Sequence, residues 1–263
     1  MRLYAEVARR AFRRFSTYRA ATLAGAFTNT VFGFIQAYVM VAVFRVRHDV
    51  GGLHRVDALT FVFLTQAMIM CVGLFSAGGD VAERVKTGEI VVDLYRPVDF
   101  QGYWLAVDLG RAGFNVVARG LPPLLAGALV FDLRLPGPFE WAAFLASLAV
   151  ATVASFGWRF LVALVTFWVV DDRGPAQLST AVVMFFSGFI IPLNFFPDPL
   201  RWACRALPFV TMVQLPIEVF LGKHHGLDLA RVLAYQLLWA AVLLAAGRAV
   251  LPRATRQVEA LGG

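Results

Sequence analysis

The chain alternates long apolar stretches with short polar segments. Six of the stretches approach or exceed the roughly 20 apolar residues that a helix needs to cross the hydrocarbon core of a bilayer. We predict membrane-spanning helices at residues 20–44, 58–79, 103–131, 140–170, 175–191 and 229–250. Pro122 and Pro123 lack the N–H donors of an α-helix and should kink the third span. The pattern therefore predicts an all-α integral membrane protein with six transmembrane helices.

Residues 1–19 show a different pattern, in which apolar residues recur at helical spacing and arginines lie between them. Leu3, Val7, Phe12 and Phe15 belong to the apolar stripe. This pattern is typical of an amphipathic helix in the membrane interface, with its basic groups near anionic lipid headgroups. A short soluble helix packed on a partner is the alternative. We therefore divide the chain into an interfacial helix, residues 1–19, and a single transmembrane domain, residues 20–263.

A proline-rich segment, residues 192–223, separates the fifth and sixth predicted spans. Its longest apolar run, residues 209–221, has about 13 residues, which is too short to cross the bilayer. A plain surface loop is the alternative, but Phe195, Phe196 and Trp202 make it unattractive. We predict short re-entrant helices on the outer side, which must be buried in protein or line a cavity.

The polar segment at residues 80–99 follows the second predicted span. Val81 and Val85 fall on one face of a short helix, and Gly88 can end that helix in the left-handed conformation. A short amphipathic helix of this kind can dock in a groove of a soluble partner. A solvated linker fits the same residues equally well.

The composition narrows the class of protein. Hydrophobic residues make up 59% of the 263 residues and charged residues 16%, against roughly 45–50% and 25% in soluble domains. A single soluble core of this size cannot hide so much apolar surface, and disorder requires the opposite composition. The net charge of +7 fits basic loops beside a lipid bilayer better than a nucleic-acid partner, which we do not expect. The larger share of Lys and Arg lies on the side of residues 1–19, which predicts a multi-pass protein of the cell membrane with both termini in the cytoplasm.

The sequence contains none of the common catalytic motifs. GxxxxGK[ST], HExxH and GxSxG are all absent, so we expect no nucleotide site, no catalytic residue, no cofactor and no metal site in this chain. Cys71 and Cys204 lie in or beside apolar segments and should be small core residues. A stand-alone secondary transporter, an intramembrane enzyme and a structural scaffold remain alternatives. Few acids lie in the spans to relay protons, and no pair of catalytic residues is evident.

Arg119 and Arg159 fall within predicted spans, where a cation is costly and must face protein, water or a headgroup. Either could face the bundle interior and bond carbonyls or waters there, or could snorkel to the interface. Asp108 and Arg111 are three residues apart and should form a local ion pair.

Three motifs together resemble those of one membrane family. They are GEIxxxLxRP at residues 88–97, after the second span, SGFIIPLxFFP at residues 187–197, and LPF at residues 207–209. With six spans, they resemble the ABC-2 type exporter permeases, in particular the branch of roughly 260 residues that includes viologen-exporter-like membrane subunits.

The resemblance implies an export permease that is powered by two copies of a cytoplasmic ABC ATPase, which would bind ATP and Mg. It also implies a second six-span permease, for which the branch favours a paralogue over an identical copy. By family analogy the substrate would be a hydrophobic or amphiphilic compound, including cationic drug-like compounds. The residues that would couple this chain to the ATPase are Asp80, Glu83, Arg84, Lys86 and Gly88. The residues of the external gate would be Pro192, Phe195, Phe196, Pro197, Pro208 and Phe209.

Overall fold

The structure, a computed structural model, describes residues 2–46, 49–76, 79–169 and 173–261. Within these ranges the chain forms helices and turns and no β-strand, so the all-α prediction is confirmed. The α-helices are α1 (Arg2–Ser16), α2 (Arg19–Val46), α3 (Arg55–Met68), α4 (Gly79–Lys86), α5 (Ile90–Leu94), α6 (Phe100–Asn115), α7 (Leu121–Val130), α8 (Pro138–Val165), α9 (Arg173–Phe186), α10 (Asp198–Ala206), α11 (Gln214–Phe220) and α12 (Gly226–Leu261).

Four helical segments of the described chain are long and apolar enough to cross a membrane. They are Arg19–Val46, Phe100–Val130, Pro138–Val165 and Gly226–Gln257. They correspond to the first, third, fourth and sixth predicted spans. In place of the second and fifth stand α3 and α9, each of 14 residues. At 1.5 Å per residue, such a helix covers about 21 Å of the roughly 30 Å hydrocarbon core.

Each of the two short helices is followed, a few residues later, by a glycine with positive φ. The second span was predicted to run to residue 79, but α3 ends at Met68 and the chain continues in turns that contain Gly73, with φ of +66°. The fifth was predicted to run to residue 191, but α9 ends at Phe186 and Gly188 has φ of +80°. Positive φ suits glycine and breaks a right-handed helix. The apolar pattern continued past both points, so periodicity alone overestimated both lengths.

A break also divides the third span. Between α6 and α7 lies a π-helical turn, Val116–Gly120. Pro122 and Pro123 follow it, in the first turn of α7. The two prolines cannot donate to the carbonyls four residues earlier, and a wider turn is the usual way to accommodate such a defect. The prolines therefore coincide with a π-helical turn immediately before them, within one helical segment, Phe100–Val130.

The core is built around α3, in which every residue from Asp57 to Met68 is buried. Other helices surround α3, and most of its buried side chains are apolar, as is typical of a helix enclosed in a core. It packs against α2, α7 and α11, while α12 lies along α8. By contrast, α2 keeps a long exposed apolar face, which includes Leu23, Phe27 and Tyr38.

The predicted N-terminal helix is present as α1, and it packs along α6 of the same chain. Gly110 makes the close approach possible, because a Cβ there would lie 2.1 Å from the carbonyl oxygen of Ala8. Phe12 and Phe114 stack edge to face next to this contact, with ring centroids 5.6 Å apart. The apolar stripe of α1 is therefore partly used for packing within the protein, while Arg13 remains exposed.

Candidate functional site

Asp108 lies at the centre of a buried ion cluster at the end of the bundle that carries α1. Its Oδ1 accepts a hydrogen bond from Nε of Arg111, one turn further along α6, at 2.9 Å. Arg159 of α8 donates to both oxygens, from Nη1 to Oδ1 at 3.1 Å and from Nη2 to Oδ2 at 2.7 Å. The side chains of Asp108, Arg111 and Arg159 are 8%, 11% and 10% exposed. One carboxylate therefore serves two guanidinium groups from two helices.

The same cluster holds the chain where α3 ends. Arg111 donates through Nη1 to the carbonyl oxygen of Met70 and through Nη2 to that of Cys71, at 3.2 Å. Ser155 of α8 donates to the carbonyl oxygen of Val72. These side-chain donors replace the helical N–H groups that the carbonyls would otherwise meet.

Gly73 lets the chain pass directly over the cluster. A Cβ at this position would lie 2.8 Å from Nη2 of Arg111 and 3.0 Å from Cζ of Arg159. Because Gly73 also has positive φ, any other residue would be both strained and crowded. The early end of α3 and the ion cluster thus depend on each other.

Arg119, in the π-helical turn, meets a different environment. Its Nη2 donates to the carbonyl oxygen of Ala21, in the first turn of α2, at 2.8 Å. Its guanidinium lies against Gly25, where a Cβ would be 2.7 Å from Cζ. Its Nε is buried without a hydrogen-bond partner, and no carboxylate among the described residues pairs with it. Of the two arginines that sequence analysis singled out, Arg159 therefore meets an acid and Arg119 meets backbone.

The segment at residues 80–99 forms a helical hairpin, in which α4 and α5 meet at Gly88 with φ of +75°. Arg84 braces it from inside: its Nε bonds Asp93 of α5, and its Nη1 bonds Glu89 at 2.9 Å. The side chain of Asp93 is only 2% exposed, and Arg96 also pairs with it, at 3.1 Å. The positive charge of Arg84 is therefore paired with acidic side chains of the same chain.

The outer surface of this hairpin carries both charge and apolar area. Glu83, Lys86 and Gly88 are exposed. On α5, Val92 and Tyr95 are 60% and 83% exposed. Another protein can therefore contact the exposed Glu83, Val92 and Tyr95 on this surface.

Two ion pairs place the hairpin at the same end of the molecule as both terminal helices. Arg14 of α1 lies 3.6 Å from Asp80 of α4. Arg248 of α12 lies 3.6 Å from Asp99, just before α6. Both pairs are largely exposed and contribute little to stability, but they show which elements are neighbours.

The proline-rich segment forms α10 and a second helical piece, Pro208–Phe220, at an angle of 76°. Together they have the length of one span, and the bend fits either a broken span or a re-entrant loop. Residues 208–221 are buried without exception. If lipid surrounds the molecule, irregular backbone at membrane depth must be enclosed by protein. The burial of residues 208–221 meets this requirement.

The residues predicted for the external gate divide into two groups. Pro192, Pro208 and Phe209 are buried, and Phe209 packs edge to face on Trp158 of α8 at 4.9 Å. Phe195 and Phe196 are half-buried and contact other elements, Phe196 reaching Phe185 of α9 at 5.3 Å. Pro197 is exposed. The segment therefore ties α8 and α9 together.

A polar network lies inside this segment. Glu218, which is 4% exposed, accepts from Gln214 at 2.8 Å and from Arg205 at 2.8 Å. His224, in the turn before α12, lies 3.0 Å from Glu218 through Nε2 and 2.5 Å from Asp228 through Nδ1. The hydrogen bond to Glu218 raises the pKa of His224 above its usual value near 6.5.

Sequence reasoning missed the partners that lie far along the chain. Asp108 and Arg159 are 51 residues apart, and nothing near Arg159 in sequence is acidic. A signal was present, however, because the third and fourth predicted spans contain Asp108 together with Arg111, Arg119 and Arg159. Buried charges are normally paired, and the only other acid in these two spans is Glu140, at the start of the fourth, so Asp108 was the natural partner for arginines on both.

Residues 27–262 match a family model that is described as "ABC-2 family transporter protein". A search of curated proteins and a search of solved structures each found no match. The match covers the hairpin, the proline-rich segment and three of the four long apolar helices in full, and α2 from Phe27 onward, while α1 lies outside it.

Proposed function

Because this chain belongs to the ABC-2 family of membrane-embedded transporter proteins, we propose that it is the permease subunit of an ATP-driven exporter. It moves a hydrophobic or amphiphilic compound outward and draws on ATP hydrolysed by separate subunits. The observation that carries the proposal is the family match over residues 27–262. The four long apolar helices and the absence of a GxxxxGK[ST] motif from the sequence support it, because the chain can cross a membrane but lacks a P-loop.

The ATPase binds the hairpin formed by α4 and α5. The exposed Glu83 and Lys86 and the exposed apolar side chains Val92 and Tyr95 support this assignment. Interfaces combine apolar anchors with a polar rim in this way. Asp80 and Arg84 take part indirectly, since Asp80 pairs with α1 and Arg84 braces α5.

The hairpin end of the molecule is cytoplasmic, and both termini lie on that side. The proximity of the basic helix α1 and of α12 to the hairpin supports this orientation, since positive charge accumulates on the cytoplasmic side. The proline-rich segment then faces outward as an external gate, in re-entrant form. With α3 and α9 counted as membrane-embedded pieces, the domain has six crossings.

A second permease subunit, a paralogue, lies against this one, and the transport path runs between the two. The exposed apolar face of α2, with Leu23 and Phe27 at 71% and 70% exposure, supports a contact with lipid or with such a subunit. A cationic compound would be repelled by the cluster around Arg111 and Arg159, so a path for it lies outside that region.

Co-purification and transport test the proposal directly. The tagged chain, isolated from membranes, should bring down a P-loop ATPase, and its transport should stop when ATP is depleted. Transport that continues after ATP depletion, with no ATPase bound, would contradict the proposal and favour a secondary transporter.

A charge reversal tests the docking hairpin. Glu83→Arg should lower permease-stimulated ATPase activity severalfold while membrane insertion and yield stay normal, because Glu83 is exposed and braces nothing that the structure describes. Asp132→Arg is the matched control: Asp132 is also exposed but lies between α7 and α8, at the other end of the spans. Equal ATPase activity of the two variants would show that the hairpin does not couple the permease to the ATPase.

A further inference from the structure

A cavity of about 350 Å³ opens beside the buried ion cluster, between α1, α2, α6 and α8. Its size is that of a small-molecule pocket. The walls combine two kinds of residue. Arg111, Arg119 and Arg159 supply positive charge, and aromatic side chains, among them Phe15 and Phe114, supply an apolar surface.

The charges that line the cavity do not balance. Asp108 and Asp80 are the acids that line it. Asp108 is shared by Arg111 and Arg159, and Asp80 pairs with Arg14. Arg119 is left without a carboxylate among the described residues. The lining therefore has a surplus of positive charge at a partly buried position, where an anion binds more strongly than in water.

The lining also contains hydrogen-bond donors that have no acceptor in the part of the chain that the structure describes. Nε of Arg119 and Nε1 of Trp104 have no hydrogen-bond acceptor among the described residues. Trp104 is 8% exposed and lines the cavity. Buried donors normally find a partner, so a ligand that brings several acceptor oxygens would complement this wall once the two side chains turn toward it.

The position of Arg119 relates the cavity to a membrane surface. Arg119 bonds Ala21, the third residue of α2. The 28 residues of α2 span about 42 Å, which exceeds the roughly 30 Å hydrocarbon core. Its first turn therefore lies at headgroup level if α2 is centred in the bilayer. Tyr18, at the rim of the cavity, is 63% exposed, which leaves an entrance at the same level.

We propose that this cavity binds an anionic amphiphile, with a phosphate or carboxylate headgroup on Arg119 and an acyl or aryl chain among the aromatic side chains. Both a membrane phospholipid and a free single-chain amphiphile have this chemistry. The site lies within one subunit and does not depend on the proposed exporter function. Its test contains no ATP, so its failure and a failure of the export proposal are distinguishable.

The test uses the full-length protein in a neutral detergent and counts bound amphiphiles by native mass spectrometry. Dodecyl phosphate is compared with dodecylphosphocholine, which has the same chain length but no net charge. The wild-type protein should bind one dodecyl phosphate at least about 10-fold more tightly, because dodecyl phosphate brings net negative charge to the positive lining, whereas the choline cation of dodecylphosphocholine offsets the charge of its phosphate. Equal binding of the two probes would overturn the proposal without any variant.

Substitution then locates the site. Arg119→Gln should weaken dodecyl phosphate binding about 10-fold or more, and Arg13→Gln should leave it unchanged. Arg13 is the matched control, since it is an exposed arginine of α1 that does not line the cavity. Undiminished binding by Arg119→Gln would overturn the assignment.

Two further arms identify the source of the ligand. Phosphatidylglycerol that stays bound through purification and is lost from Arg119→Gln would identify a membrane lipid. Dodecyl phosphate binding at the same site with no retained phospholipid would identify a free amphiphile. Inorganic phosphate that competes as well as dodecyl phosphate would contradict the role of the apolar walls and overturn the proposal.

Discussion

Replacing Asp108 by Asn tests the buried ion cluster at its centre. The change keeps the shape of the side chain and removes its charge. Two guanidinium groups, of Arg111 and Arg159, then lie about nine-tenths buried with no counter-charge. The new amide N–H₂ group also faces one of these donors, where an acceptor oxygen stood at 2.7–3.1 Å.

The expected cost is large. Removing one partner of a buried ion pair costs about 3–5 kcal/mol, because the remaining charge stays desolvated. The double variant Asp108→Asn/Arg159→Gln should be destabilised by less than the sum of the two single variants. The expected difference is about 1–3 kcal/mol, since the residues interact directly.

The assay is the free energy of unfolding in mixed micelles, measured for the two single variants and the double variant. Glu6→Gln is the matched control. Glu6 also accepts from two arginines, Arg9 at 2.7 Å and Arg10 at 2.9 Å, but lies on the exposed side of α1. Its replacement should change stability little. The account of the cluster fails if Asp108→Asn and Glu6→Gln give equal losses, or if the double variant shows no coupling.

Two other variants test packing and titration. Gly110→Ala should detach α1 from α6, because its Cβ would lie 2.1 Å from the carbonyl oxygen of Ala8, whereas a Cβ at Gly113 meets nothing closer than 3.8 Å. Limited trypsin digestion should therefore cut α1 faster in Gly110→Ala than in Gly113→Ala, and equal rates would contradict the packing. Because the pKa of His224 is raised on folding, its contribution to stability is complete below about pH 6.5 and is lost as pH rises through the folded-state pKa. Thermal unfolding of His224→Gln should lack this pH-dependent loss, His225→Gln should keep it, and a loss of equal size in His224→Gln would point to another group.

Local patterns in the sequence were sufficient for much of the architecture. The lengths of the apolar stretches identified the four long helices, and the stripe of apolar residues identified α1. Asp108 and Arg111 pair as their spacing predicts, because residues three apart in a helix share a face. The motifs at residues 88–97 and 187–197 pointed to the family that the match over residues 27–262 then established.

The lengths of the second and fifth spans were wrong for a common reason. Both apolar stretches continue beyond the point where the helix stops. Burial stabilises an apolar side chain equally in a helix and in a turn. When α3 ends at Met68, the backbone carbonyls that follow need hydrogen-bond donors other than helical N–H groups. Arg111 and Ser155, on other helices, supply those donors.

The sequence by itself determined that this chain is an all-α membrane protein, where its long helices lie and which family it belongs to. The class and the long helices follow from local composition and periodicity, and the family resemblance follows from the motifs. Only the tertiary structure decided that Arg159 meets Asp108 while Arg119 meets backbone, and that Arg84 braces Asp93 instead of standing free. The reason is that a buried charge pairs with whichever group packing brings within about 3 Å. The separation of two residues along the chain does not specify which groups packing brings together.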